Sequence, residues 1–190
     1  MKRALFLDRD GVLDELVRQE NGEWGAPLRA EDVRLLPGVV DALRLASEHG
    51  WMLFVVSNQP DAAKGKTTIR SLREAHRRLL DLLEGAPVTE FFYCYHRAED
   101  RCACRKPEPL FVLQAAARHE IDLQESWFVG DADSDVECGR RAGCRTALLE
   151  YPYSSNRRGA LRPDLTCSDL GHFVHALIGQ PSNHGSQSQR

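Results

Sequence analysis

The chain has 190 residues, 42% of them hydrophobic and 28% charged, with a net charge of −3. That is the make-up of an ordinary globular protein of about one-domain length, and it excludes a fibrous or wholly disordered chain. The slight acidic balance gives no footprint for nucleic acid, and no apolar run approaches the roughly 20 residues of a membrane span.

Ala4-Leu5-Phe6-Leu7 is an apolar run that stops at Asp8-Arg9-Asp10-Gly11, so residues 4–8 read as a buried strand feeding a loop. Side chains alternate along an extended chain, so Asp8 and Asp10 face one pocket while Arg9 points away. Residues 12–36 are mixed and polar, with Gly22, Gly25 and Pro27, and predict a long loop or flap. Pro37-Gly38 opens a helix that runs to about His49, and Trp51 to Val56 form a second buried strand. Ile69, Leu72, His76, Leu79, Leu80 and Leu83 at helical spacing predict a helix over 68–84. Phe91-Phe92-Tyr93 reads as a third strand, and 108–119 as a helix with Pro107 and Pro109 near its start. Residues 127–130 form a fourth strand, followed by a short helix to about Ala142, a fifth strand over 146–149 and a last helix over 168–178. Residues 180–190 are rich in Ser, Asn, Gln and Gly, and a disordered tail is expected there.

Alternating strands and helices imply the α/β class. The expected architecture is a Rossmann-like three-layer sandwich, with a central parallel sheet covered on both faces, in one domain over 1–179.

Four polar clusters stand at the ends of the apolar runs or just before the next helix. Asp8 and Asp10 can divide the work of nucleophile or metal ligand and of proton handling. Ser57-Asn58-Gln59 offers a hydroxyl and amides that suit a phosphoryl oxygen, although the cluster taken alone reads better as a simple turn or helix cap. Lys106, in Arg105-Lys106-Pro107, precedes a helix N-terminus and can neutralise charge on a transferring phosphoryl group. Gly130-Asp131-Ala132-Asp133-Ser134-Asp135 carries three alternating acids, a set suited to a hard cation. Asp131 is nearest the strand end, Asp135 can turn back to the same pocket, and Asp133 is expected to face solvent. Sheet geometry would gather all four clusters in one crevice at the C-terminal edge, where open α/β sheets bind ligands.

Cys94-Tyr95-His96 and Cys102-Ala103-Cys104 place four soft or borderline ligands within eleven residues. With no open position, they read as a structural tetrahedral Zn²⁺ site. Buried thiols are the alternative, but Arg97, Glu99, Asp100 and Arg101 make the loop polar. Cys138, Cys144 and Cys167 have no matching partners and are expected to pack. Met1-Lys2-Arg3 runs directly into a strand without a signal-peptide pattern, so a cytoplasmic location, with reduced thiols, is expected.

Asp-x-Asp-Gly, Ser-Asn, Lys-Pro and Gly-Asp-x-x-x-Asp, in this order over roughly residues 4–150, resemble the haloacid dehalogenase (HAD) superfamily of phosphatases. The resemblance implies Asp8 as the nucleophile that forms an aspartyl-phosphate, and Asp10 as general acid and then base. It implies Ser57 and Lys106 as holders of the phosphoryl oxygens. Mg²⁺ would lie between Asp8, the backbone carbonyl of Asp10 and Asp131, with Asp135 orienting its waters. The stretch from Asn58 to Lys106 leaves no room for a large cap domain, so an open crevice is expected, rimmed by the flap and a zinc loop over about 94–104.

Cys-x-His followed by Cys-x-Cys-Arg-Lys-Pro is similar to the D-glycero-D-manno-heptose 1,7-bisphosphate 7-phosphatases and the related histidinol-phosphatases, whose zinc stiffens a loop beside the active site. The implied substrate is a small phosphorylated sugar, the heptose 1,7-bisphosphate, serving nucleotide-sugar synthesis. Histidinol phosphate is the alternative, and a zinc-stabilised binding protein with a vestigial site is the reading from another class. Asn58, Gln59, Lys64 and Arg105 are the candidate substrate-binding residues. Lys64 stands where the heptose phosphatases carry an arginine, and meets a distal phosphate only as a point charge, which makes Arg105 the better candidate for the second phosphate. A monomer without nucleic-acid or membrane partners is expected.

Overall fold

The structure, a computed structural model, describes residues 1–19, 21–151 and 157–179. The expected tail over 180–190 lies outside them. Six parallel strands form one sheet: β1 (Arg3–Leu7), β4 (Trp51–Asn58), β5 (Val88–Cys94), β6 (Trp127–Gly130), β7 (Arg145–Leu149) and β8 (Leu165–Cys167). Their spatial order is β5-β4-β1-β6-β7-β8. The chain moves outward from β1 in one direction, then returns and moves outward in the other. The reversal point lies between β1 and β6, the place where an open α/β sheet leaves a crevice at its carboxyl edge.

The strands are continuous apolar runs because helices cover both faces. Leu5, Leu7, Leu53, Val55, Trp127 and Val129 point to one face, packed by α1 (Val39–Glu48), α2 (Ile69–Leu83) and α5 (Leu170–Gly179). Ala4, Phe6, Phe54, Val56 and Phe128 point to the other, packed by α3 (Leu110–His119) and α4 (Asp133–Ala142). Cys138 and Cys144 are buried in this second layer and Cys167 packs against the first, as their sequence context predicts. Among the described residues, no helix is long and apolar enough to cross a membrane.

Three details differ from the sequence reading. The edge strand β8 was not anticipated, because three residues carry no legible period. Strand β5 begins at Val88 and continues to Cys94, so the first cysteine is seated on the sheet. The segment 12–36 is a flap only in its middle, where β2 (Val17–Arg18) and β3 (Trp24–Gly25) pair as a small hairpin. Its ends are core: Val12, Leu13, Leu16, Val33 and Leu36 are buried.

On the β5 side, His76 of α2 lies edge-on to Phe91 and Tyr93, with its Nδ1 2.9 Å from the Tyr93 hydroxyl. Burial, helped by the nearby Arg9 guanidinium, lowers the imidazole's affinity for a proton. The folded chain then holds fewer protons than the unfolded chain below the ordinary histidine value of about 6.5. Stability from this residue is therefore full above that pH and is lost as the pH falls through the lowered value. Thermal melts from pH 7.5 to 5 are expected to show a decline that is shallower in His76→Gln; identical slopes would contradict the assignment.

Candidate active site

Strand β1 delivers Asp8 to the carboxyl edge, where its N–H still donates to Val129 O of β6 at 2.9 Å. The chain then turns sharply: Val12, Leu13 and Asp14 all donate backbone N–H groups to Arg9 O. Gly11 sits at φ +91°, and a Cβ there would collide with the Asp131 carboxylate. That glycine lets the β1 loop and the β6 loop close on each other. Gly130 serves the second approach, because its own Cβ would overlap the Asp135 side chain.

Asp8, Asp131 and Asp135 converge, each offering a carboxylate oxygen within 4.8 Å of the others. Lys106 reaches between them from the loop before α3, its Nζ 2.7 Å from Asp8 Oδ1 and 2.7 Å from Asp135 Oδ1. Burial alone would lower the lysine's affinity for its proton. Asp135 and Asp8 outweigh that, and it stays fully charged. The second oxygen of Asp135 accepts N–H bonds from Asp131 and Ala132 at 3.2 and 3.1 Å, fixing the start of α4. Asp135 is thus engaged at both oxygens, in keeping with a supporting rather than a direct part. Asp133, expected in solvent, is half-buried beside Gly159.

Asp10 points into the same crevice. Its Oδ2 accepts from Ser57 Oγ at 3.3 Å and from Gln59 Nε2. Gln59 is almost fully buried and also reaches Ser57 Oγ, so it braces Asp10 instead of lining the substrate rim. Asn58 likewise departs from the expected substrate contact. Its side chain clips the backbone of Lys106, donating to Lys106 O at 3.1 Å and accepting from Lys106 N at 3.0 Å. Both amides hold other site residues in place. Lys64 is exposed on the loop after β4, and Arg105 reaches back to His96 O at 3.3 Å.

Arg157 is the site residue that the sequence reading missed. Its Nη1 lies 2.7 Å from Asp131 Oδ2 and 3.4 Å from Asp10 O. It belongs to the connection between β7 and β8, a stretch whose sequence has neither helical nor strand period and so gives no sign of where its charges return.

Five carboxylates (Asp8, Asp10, Asp14, Asp131 and Asp135) share this region with three cations, Arg9, Lys106 and Arg157. Fully ionised, the five carboxylates would outnumber the three cations by two, and burial opposes that ionisation until a divalent cation supplies the missing charge. Burial, with Asp135 and Asp8 adding to it, pushes the Asp131 carboxyl up to about 8 against the pull of Arg157 and Lys106. Asp131 Oδ1 is buried with no hydrogen-bond partner among the described residues. An all-oxygen set of this kind fits a hard ion such as Mg²⁺.

The cysteine loop closes equally well. Cys94, His96, Cys102 and Cys104 place one ligand atom each within 4.8 Å of the others. Five of the six separations run from 3.3 Å (Cys104 Sγ to His96 Nδ1) to 3.6 Å (Cys94 Sγ to Cys102 Sγ). Tetrahedral ligands around zinc, with Zn–S of about 2.3 Å and Zn–N of about 2.0 Å, stand roughly 3.5–3.8 Å apart. The four residues fit that ion. Arg97 ties this loop to the one after β4 through Ala63 O.

Three comparisons bear on what this arrangement is. A HAD-hydrolase-like family model matches residues 103–173. A D-glycero-beta-D-manno-heptose-1,7-bisphosphate 7-phosphatase of Pseudomonas putida is 34% identical over 181 residues, covering 93% of this chain and 99% of that protein. The chain belongs to this phosphatase family within the HAD superfamily. The Helicobacter pylori phosphatase of the same name is 33% identical over 150 residues, covering 77% of this chain and 83% of its own. The crystal structure of D,D-heptose 1,7-bisphosphate phosphatase from B. bronchiseptica, complexed with magnesium and phosphate, superposes with a TM-score of 0.80 at 27% identity, over 94% of this chain and 98% of that one. The Rossmann-like sheet and the crevice at its reversal point are thus those of the HAD fold.

Lys106 is the member of this site with the clearest energetic signature. Lys106→Ala would leave Asp8 and Asp135 buried without their shared counter-charge, a loss on the order of 3–5 kcal/mol for a broken buried pair. Urea unfolding is expected to show it as a lowered midpoint, accompanied by loss of phosphatase activity. A wild-type midpoint would contradict the ion-pair assignment.

Proposed function

We propose that this HAD-family protein is an Mg²⁺-dependent phosphatase that removes the 7-phosphate of D-glycero-D-manno-heptose 1,7-bisphosphate. The observation that carries the reading is the triangle of Asp8, Lys106 and Asp131 at the reversal point of the sheet, with Lys106 Nζ 2.7 Å from Asp8. Phosphoryl transfer needs positioning and charge neutralisation above all, and these residues supply both. Asp8 attacks phosphorus and carries the phosphoryl group as an aspartyl-phosphate. Asp10 gives its proton to the departing alkoxide oxygen, then takes one from the water that cleaves the acyl phosphate. Lys106 offsets the repulsion between the Asp8 carboxylate and the phosphoryl oxygens. Ser57 Oγ, which gives its one proton to Asp10 Oδ2 in the free site, turns it to those oxygens when substrate binds. Asp8, the Asp10 carbonyl and Asp131 would hold Mg²⁺, which when bound neutralises further charge on the phosphoryl group.

Cys94, His96, Cys102 and Cys104 hold a structural Zn²⁺ that anchors the loop leading into Lys106. Arg105 and Lys64, on the rim, receive the second phosphate of the substrate. The enzyme is a monomer of one domain, and three cysteines as zinc ligands with the other three reduced agree with a location in the reducing cytoplasm.

Steady-state assays on the heptose bisphosphate and on histidinol phosphate, with and without Mg²⁺, test the assignment. Mg²⁺-dependent turnover with kcat/KM about a hundredfold or more in favour of the heptose bisphosphate is expected. Preference for histidinol phosphate would overturn the substrate, and metal-independent turnover would overturn the mechanism.

A further inference from the structure

Arg9 and Asp14 have no part in the chemistry above, yet they are among the most deeply buried charged groups in the chain, at 1% and 0% exposure. The Arg9 side chain stays inside the protein, behind the Asp10 carboxylate. Its Nε donates to Asp14 Oδ2 at 3.0 Å, and its Nη2 lies 3.4 Å from Asp10 Oδ1. The turn that brings Asp14 under it is tightly made: Asp14 N donates to Arg9 O at 3.1 Å and Gly11 N donates to Asp14 O at 2.8 Å.

Stability does not account for this pair. Burying two charges costs several kcal/mol each, and an apolar pair of similar volume is often as stable or more so. What the pair does achieve is geometric. The Asp10 carboxylate accepts hydrogen bonds on Oδ2 from Ser57 and Gln59, while Arg9 Nη2 lies 3.4 Å from Oδ1 as an ion pair without a hydrogen bond, so the carboxyl is held from both sides and Oδ1 stays open to carry a proton. A planar guanidinium can serve Asp14 and Asp10 from one fixed plane, which an ammonium cannot do.

We infer that Arg9, anchored by Asp14, is a positioning residue that aims the Asp10 carboxyl at the leaving-group oxygen. The inference rests on the proposed role of Asp10 as the proton donor. In that step the bond from phosphorus to the leaving oxygen breaks as the bond from Asp8 to phosphorus forms, and the proton of Asp10 passes to the alkoxide. An ester whose leaving group departs as a stable anion does not need that proton, so only poor leaving groups feel a misaimed Asp10.

The test uses Asp14→Asn and Arg9→Lys, with Asp10→Asn as reference, on two esters. One is the heptose bisphosphate; the other is 2,4-dinitrophenyl phosphate, followed by its pre-steady-state burst so that only the first phosphoryl transfer is read. Asp14→Asn is nearly isosteric and keeps the test open if Arg9→Lys does not fold. Both variants are expected to slow the sugar ester by about 10- to 100-fold, the scale of a misplaced reacting group, while the burst rate changes by less than about threefold. Equal losses on both esters, with Asp10→Asn still selective, would overturn the inference alone. Equal losses on both esters in Asp10→Asn would overturn the proton-donor role of Asp10, and this inference with it.

Discussion

Asp8→Asn is expected to lower kcat by about four orders of magnitude or more, the scale on which an essential nucleophile acts, while the chain stays folded. The amide keeps the shape of the carboxylate and can still accept the Arg9 backbone N–H that Asp8 Oδ1 accepts at 2.7 Å. Lys106 keeps its second partner, Asp135, at 2.7 Å. What disappears is the lone-pair density and charge needed to attack phosphorus. Assays of kcat on the heptose bisphosphate, run beside a thermal melt, separate the two effects. Activity within tenfold of wild type would remove Asp8 from the chemistry.

The joint variant Cys102→Ser/Cys104→Ser should lose the zinc, about one ion per chain by elemental analysis of the wild type, and several kcal/mol of stability with it. Structural zinc commonly contributes folding energy outright, and in a chain of this length such a loss shows as a fall in Tm on the order of 10 °C. Activity should fall as well, for a reason legible in the connectivity. Cys104 stands two positions before Lys106, and the Asn58 clip holds only the Lys106 backbone. Without the zinc, the bond from Arg97 to Ala63 O is the tie that links the loop between Cys94 and Arg105 to another element among the described residues, beside the local Arg105–His96 and Arg97–Asp100 bonds. A wild-type chain without zinc, or a variant with unchanged Tm, would contradict the structural role.

The sheet and its layers were legible in the sequence because each central strand is an apolar run that ends in a polar cluster. That pattern identified the carboxyl edge and placed Asp8, Lys106 and Asp131 along it. Strand β8 was illegible for the opposite reason: it is short, lies at the edge and is half-exposed. The roles of Asn58 and Gln59 could not be read either. An amide at a strand end looks the same in sequence whether it meets a ligand or a neighbouring loop, and the neighbour here, Lys106, is 48 residues away. Strand alternation turns Arg9 from the pocket of Asp8 and Asp10, but it says nothing of the guanidinium's reach, which takes it to Asp14 and to within 3.4 Å of Asp10 Oδ1. Its partner Asp14 became visible only once the turn after Asp10 was seen to fold back. Arg157 depends on the return of a crossover with no period of its own.

The claim that Asp8 takes the phosphoryl group can be read directly. Enzyme mixed with Mg²⁺ and the heptose bisphosphate, quenched in acid within one turnover and digested for mass spectrometry, should yield a peptide containing Asp8 that carries one phosphoryl group. The same peptide from Asp8→Asn should carry none. Phosphate released in the burst with no mark on Asp8, or with the mark on another residue, would contradict the mechanism.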